Sequence, residues 1–133
     1  MLDEDALGKQ LEQLGWKAQP HGKATFRSIQ TTAEGEMTVF VRLQENWLVA
    51  SIVPFLQTRG DNSFELSRWL LRQNRDMHQT KFAYDEDGDV VMTVEVPTES
   101  LDPSEIQTAL ENLLADAVRH RATLRAAASA AQK

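Results

Sequence analysis

The sequence predicts an α+β domain with the element order α-β-β-β-α-β-β-α. Three observations carry that reading. Apolar residues recur at helical spacing near both ends and once in the middle of the chain. Between these stretches lie runs of alternating or continuous apolar residues with strand composition. The joints between neighbouring runs are tight, and no internal repeat or long linker interrupts the order, which favours an α+β sandwich over a doubly wound parallel sheet.

The elements follow in order. Residues 2–14 place Leu7, Leu11 and Leu14 on one helical face and end at Gly15, a natural helix stop. After the turn-rich Gln19-Pro20-His21-Gly22, strands are expected at residues 25–30, 37–43 and 47–54. Met37, Val39, Val41 and Leu43 alternate with Thr38, Phe40 and Arg42, and Gln44-Glu45-Asn46 leaves only a tight turn, so these strands should pair antiparallel. Leu48, Ala50 and Ile52 alternate with Trp47, Val49 and Val53, which makes the third strand apolar on both faces.

A helix is expected at residues 63–75, with Asp61 or Asn62 able to cap it. At about 100° per residue, Leu66, Trp69 and Leu70 share one face while Phe64 and Leu71 lie nearly opposite. One face can cover the sheet; the other needs a second layer, from this chain or from another copy. Residues 81–84 and 90–96 form a hairpin around Asp85-Glu86-Asp87-Gly88-Asp89, whose Asp-Gly step accepts positive φ. The last helix has Asp102 as N-cap, Pro103 at its first position and Glu105 at its third, followed by Ile106, Leu110, Leu113, Leu114 and Ala117 at helical spacing. Residues 1–125 read as a single α+β domain, and residues 126–133 as an alanine-rich tail expected to fray.

Composition limits the chemistry. The 133 residues suit one core, and 41% hydrophobic content can fill it. Without cysteine there is no disulfide framework, thiolate metal site or cysteine nucleophile, which suits a reducing cytoplasm. Residues 1–10 show no basic segment followed by an apolar one, so no secretory signal is expected. The most apolar stretch, Trp47–Leu56, is about half of the ~20 residues that span a bilayer. A net charge of −6 opposes binding to nucleic acid or anionic lipid.

No site for catalysis, metal or cofactor emerges. In the acidic turn the glycine is fourth and the twelfth position is Val96, unlike a calcium loop, and His21, His78 and His120 have no metal-ligand spacing. The glycines are isolated, so no phosphate cradle forms, and no serine sits in a G-x-S-x-G elbow. Carboxylates gather at helix starts and Arg119, His120, Arg121 and Arg125 near a helix end, where the helix dipole favours them.

The run Leu66-Ser67-Arg68-Trp69-Leu70-Leu71-Arg72-Gln73-Asn74, the segment Lys81-Phe82-Ala83-Tyr84-Asp85-Glu86-Asp87-Gly88-Asp89-Val90 and Val94-Glu95-Val96-Pro97 resemble bacterial YbjN-type domains. Those domains are described as sensory transduction regulators and are similar in fold to type III secretion chaperones. The specific part covers residues 64–114 and brings no catalytic motif. The resemblance implies helices packed on a twisted antiparallel sheet, and a homodimer that binds proteins without ATP. It places Phe64, Trp69 and Leu71 in a dimer interface. It places Leu7, Leu11, Phe26 and Phe40 against an extended segment of a partner protein. The expected function is thus a cytoplasmic, non-catalytic protein-binding module, chaperone-like or regulatory, with no cofactor. The alternative is a small-molecule sensor with an apolar pocket between sheet and helices, lined by Trp16, Trp47 and Trp69.

Overall fold

A computed structural model describes residues 2–60 and 63–131. The chain forms α1 (Glu4–Gln13), β1 (Ala18–Pro20), β2 (Thr25–Thr32), β3 (Gly35–Gln44), β4 (Trp47–Leu56), α2 (Phe64–Asp76), β5 (Thr80–Tyr84), β6 (Val90–Pro97) and α3 (Pro103–Ala131). The six strands make one sheet in the order β1-β2-β3-β4-β6-β5, antiparallel throughout. The expected order holds, with one strand added. β1 pairs Ala18 with Ser28 and Pro20 with Phe26 at the sheet edge, where a proline costs no ladder bond. Its three residues are too few for periodicity to show.

Side-chain hydrogen bonds set the helix starts. Asp3 accepts from the Ala6 amide at 2.8 Å and Asp102 from the Glu105 amide at 2.9 Å, each satisfying a donor the helix cannot. In α2 the cap is Ser63, which accepts from the Leu66 amide at 3.0 Å. The expected caps Asp61 and Asn62 lie outside the described residues, as do residues 132 and 133 of the alanine-rich tail. α3 carries on through that segment to Ala131.

Alternation gives the sheet two unlike faces. Phe26, Met37, Val39, Val41, Leu48, Ala50, Ile52, Phe82, Met92 and Val94 form a buried layer with Leu7 and Leu11 of α1, Leu70 of α2, and Ile106, Leu110, Leu113 and Ala117 of α3. Each large side chain in that layer contributes roughly 1.5–3 kcal/mol by leaving water. The alternate residues Arg27, Ile29, Phe40, Arg42, Trp47, Val49 and Glu95 face away from the helices.

The register of β4 shifts between Ile52 and Leu56, around the cis Val53–Pro54 bond. The shift turns Phe55 inward, three residues after Ile52, and buries it completely. Arg121 of α3 donates to the Phe55 carbonyl at 3.0 Å and lays its guanidinium 5.5 Å from the ring centre.

The acidic hairpin turn is an anchor. Asp85 accepts from the amides of Asp87 and Asp89 at 2.9 and 3.0 Å. Asp89, buried, accepts from the amides of Thr58 and Arg59 at 2.8 and 2.6 Å, tying the β5–β6 turn to the segment after β4. These carboxylates face amides, and among the described residues no group of His, Asp and Glu is arranged to hold a metal ion.

Candidate partner-binding surfaces

α2 lies along the free edge of β5 and covers it. The Asn74 amide donates to the Phe82 carbonyl at 3.0 Å and its carbonyl oxygen accepts from the Phe82 amide at 2.7 Å, so one side chain stands in for a neighbouring strand. Ser67 and Tyr84 share a hydroxyl hydrogen bond of 2.8 Å. Lys81 donates to the carbonyls of Asn74 at 2.7 Å and of Met77, where the helix ends.

These bonds fix how α2 is rotated. Leu70 is buried, and the Trp69 ring packs 5.9 Å from both Phe82 and His120. Phe64 and Leu71 are turned outward, 72% and 68% exposed, and Arg68 lies over the Phe64 ring at 5.7 Å. Of the three residues expected at a dimer interface, Phe64 and Leu71 share the outer stripe and Trp69 belongs to the helix–sheet packing. Tyr84 stands beside the stripe, 39% exposed. Only the folded edge of β5 brings it there, from thirteen positions beyond Leu71 in the sequence.

A second surface opens between α1 and β1. Glu4, Asp5, Gly8, Lys9, Glu12, Pro20 and Phe26 line an open groove of about 380 Å³. Gly8 makes this possible: a Cβ there would stand 3.1 Å from the Phe26 ring, so the bare backbone lets that ring tuck beneath the helix. An isolated glycine inside an amphipathic helix is the sequence signal for such an approach. Leu7 and Leu11 lie in the core beneath the helix, and Phe40 lies on the opposite face of the sheet, in edge-to-face contact with His21 at 5.2 Å. The four residues expected to hold a partner segment therefore do not line one site; Phe26 alone of them borders the groove. The three tryptophans are likewise kept apart, since Trp16 and Trp69 pack against the core and Trp47 lines a cleft at the end of the sheet.

Three helices cover one face of the antiparallel sheet, and the middle helix carries an exposed stripe. A model of the Tir chaperone protein (CesT) family matches residues 6–121. The chain belongs to this family. Solved structures agree on the fold. The protein is similar to a chain of the ExsC–ExsE complex, with a TM-score of 0.68 and 17% identity over 92% of this chain and 97% of that one. It is similar to YbjN of E. coli, a candidate transcription regulator, with a TM-score of 0.67 and 12% identity over 92% and 93%. It is also similar to a chain of the ExoU–SpcU complex from the type III secretion system of Pseudomonas aeruginosa, with a TM-score of 0.59 and 20% identity over 90% and 93%. No curated protein matches the chain in sequence.

Membership in a family of chaperones makes this a non-enzymatic protein that binds a protein partner. The resemblance to YbjN-type domains and to type III secretion chaperones is found again in the folded chain. Among the described residues, no helix of this CesT-family protein is long and apolar enough to cross a membrane.

Proposed function

We propose that this CesT-family protein works in the cytoplasm as a homodimer, joined along the outer stripe of α2, and holds an extended segment of a client protein in the groove between α1 and β1. The observation that carries the dimer is the exposure of both Phe64 and Leu71 on one stripe of α2. α2 already uses one side against the core and another against β5, yet two large apolar side chains remain in water on a third. Two apolar side chains two turns apart on one stripe, with Arg68 and Tyr84 beside them, suit a surface buried on association.

Phe26, at the border of the α1–β1 groove, would meet an apolar residue of the client, with Leu7 and Leu11 holding α1 in place above it. A segment long enough to round the β1 edge would also reach Phe40. Binding by apolar burial and strand-like hydrogen bonds needs no nucleotide. Related chains occur in complexes named for two proteins, ExsC with ExsE and ExoU with SpcU, which supports a protein client here.

Sedimentation tests the dimer. The wild-type chain should sediment as a dimer at micromolar concentration, and a monomer there would overturn the interface. Co-purification from the native cell, read by mass spectrometry, tests the client: a stoichiometric protein supports it, and a bound metabolite in its place supports a sensor.

A further inference from the structure

At the end of the sheet where β3 turns into β4 and β6 leaves for α3, Asn46, Trp47, Pro97, Thr98, Glu99 and Ser100 line an open cleft of about 640 Å³. Its walls are pinned. Trp47 pairs with Gln44 on one side and Pro97 on the other, the Thr98 amide donates to the Asn46 carbonyl at 2.9 Å, and the Leu101 amide donates to the Thr98 carbonyl at 3.2 Å. Glu45 and Ser100, which flank the two walls, both hold left-handed backbone, with φ of 55° and 62°.

Three properties converge on one ligand chemistry. Trp47 is 43% exposed and lines the cleft. Thr98 also lines the cleft and is 7% exposed, yet among the described residues its hydroxyl has no hydrogen-bond partner. A hydroxyl with no protein partner is available to a ligand that enters the cleft. The charge is of one sign: residues 43–53 and 93–106 contain Glu45, Glu95, Glu99, Asp102 and Glu105 and no lysine, arginine or histidine. Glu99 lines the cleft, and Glu95 faces the same side of the sheet as Trp47, one pair along. Arg42 of β3 is the nearest cation on the paired strands; it shares the face of Trp47 and stands opposite Val49, diagonal to the indole.

We infer that this cleft is a docking site for an arginine side chain of a protein partner. The guanidinium lies flat on the Trp47 ring, donates one N–H to the Thr98 hydroxyl and faces the Glu99 carboxylate. A flat, weakly hydrated cation with several donors fits an aromatic face, a buried acceptor and a carboxylate better than a compact ammonium does. The chain uses the same contact internally, where Arg121 covers Phe55. The inference rests on the protein binding a protein partner; it needs neither the α2 dimer nor the α1–β1 groove.

NMR titration of the full chain with N-acetyl-arginine amide tests it. The Trp47 indole N–H and the amides of Thr98, Glu99 and Ser100 should shift saturably. N-acetyl-citrulline amide, the same shape without charge, should bind about tenfold more weakly. Glu99→Gln and Thr98→Val should each weaken the arginine response several-fold, and because the Thr98 hydroxyl has no partner, Thr98→Val should leave the melting temperature unchanged or raised. Three results would overturn the site: no response at Trp47, an equal response to citrulline, or shifts spread over Glu4, Asp5 and Glu12 as strongly as over the cleft. A dimer that ignores arginine amide would sink this inference and leave the α2 interface standing.

Discussion

The Gly60 amide donates to the Gly88 carbonyl at 3.2 Å, and the two backbones are so close that a Cβ on Gly88 would stand 2.5 Å from Gly60 N and nearer still to its Cα. Both residues hold left-handed backbone, with φ of 80° and 81°. The contact locks the β5–β6 turn onto the segment after β4, alongside the bonds from Asp89 to Thr58 and Arg59.

Gly88→Ala should therefore cost more than Gly60→Ala. Both meet the strain of positive φ, about 1 kcal/mol for a non-glycine residue. At Gly88 the new methyl also collides with backbone that must move, which should bring the total to roughly 2–4 kcal/mol. At Gly60 the nearest atom to a Cβ is the Asp87 carbonyl oxygen at 3.9 Å, an ordinary contact. Urea denaturation of the two variants checks the order, and equal losses would show that the close approach carries no energy.

Asp89→Ala should lose roughly 1.5–3 kcal/mol, because it leaves the Thr58 and Arg59 amides without their acceptor. Hydrogen exchange should localise the effect, with amides 58 and 59 losing protection before the strands do. Uniform loss across the sheet would mean that the turn unfolds only with the whole domain.

Leu71→Glu should turn the proposed dimer into a folded monomer. A carboxylate in a desolvated contact weakens association by several kcal/mol, roughly a hundredfold or more in the dissociation constant. In water on the outer stripe of α2 it costs the monomer little. Sedimentation together with circular dichroism reads both quantities, and a variant that stays dimeric would place the interface elsewhere.

His120 gives the fold a pH dependence. Burial, chiefly, and the neighbouring Arg119 hold its pKa below the usual histidine value, while Asp116 pulls the other way. The folded chain then binds the proton less readily than the unfolded chain. The resulting stability is present above the unfolded pKa, about 6.5, and is lost as pH falls from there through the lower folded pKa. The ring packs 5.9 Å from Trp69 and 5.5 Å from Phe82, so a charge there would sit between two aromatic rings and beside Arg119. His120→Phe keeps the aromatic packing and removes the titration. Denaturation at pH 7.5 and 5.5 should show a smaller acid loss for the variant than for the wild type; equal losses would assign the effect to other groups.

Which parts of this molecule were legible beforehand depends on the range of the forces involved. The eight expected elements and their order follow from periodicity and capping, which act over three or four residues: Asp102 with Glu105, the Asp-Gly step at 87 and 88, and the alternation from Met37 to Leu43. The two-sided α2 was visible for the same reason, since helical geometry alone puts Phe64 and Leu71 away from Leu70. β1 escaped notice because three residues with a proline carry no period of their own and pair only when β2 is already in place.

The sites were less legible, because they are made where distant segments meet. Spacing on α2 does not tell Trp69 from Phe64 as an outward residue; the Asn74–Phe82 and Ser67–Tyr84 bonds decide the rotation of the helix. The family resemblance sets Leu7 and Leu11 against a partner segment, and the packing of α1 on the sheet buries both in the core. Phe26 reaches the groove because Gly8, eighteen positions away, has no side chain to exclude it. The cleft of Trp47, Thr98 and Glu99 joins two chain segments some fifty residues apart across a single strand pair. Composition, local periodicity and family resemblance by themselves determined a non-enzymatic, partner-binding α+β chain. Which apolar and charged groups face solvent was decided only by tertiary packing, because burial is a property of neighbours that the linear order does not supply.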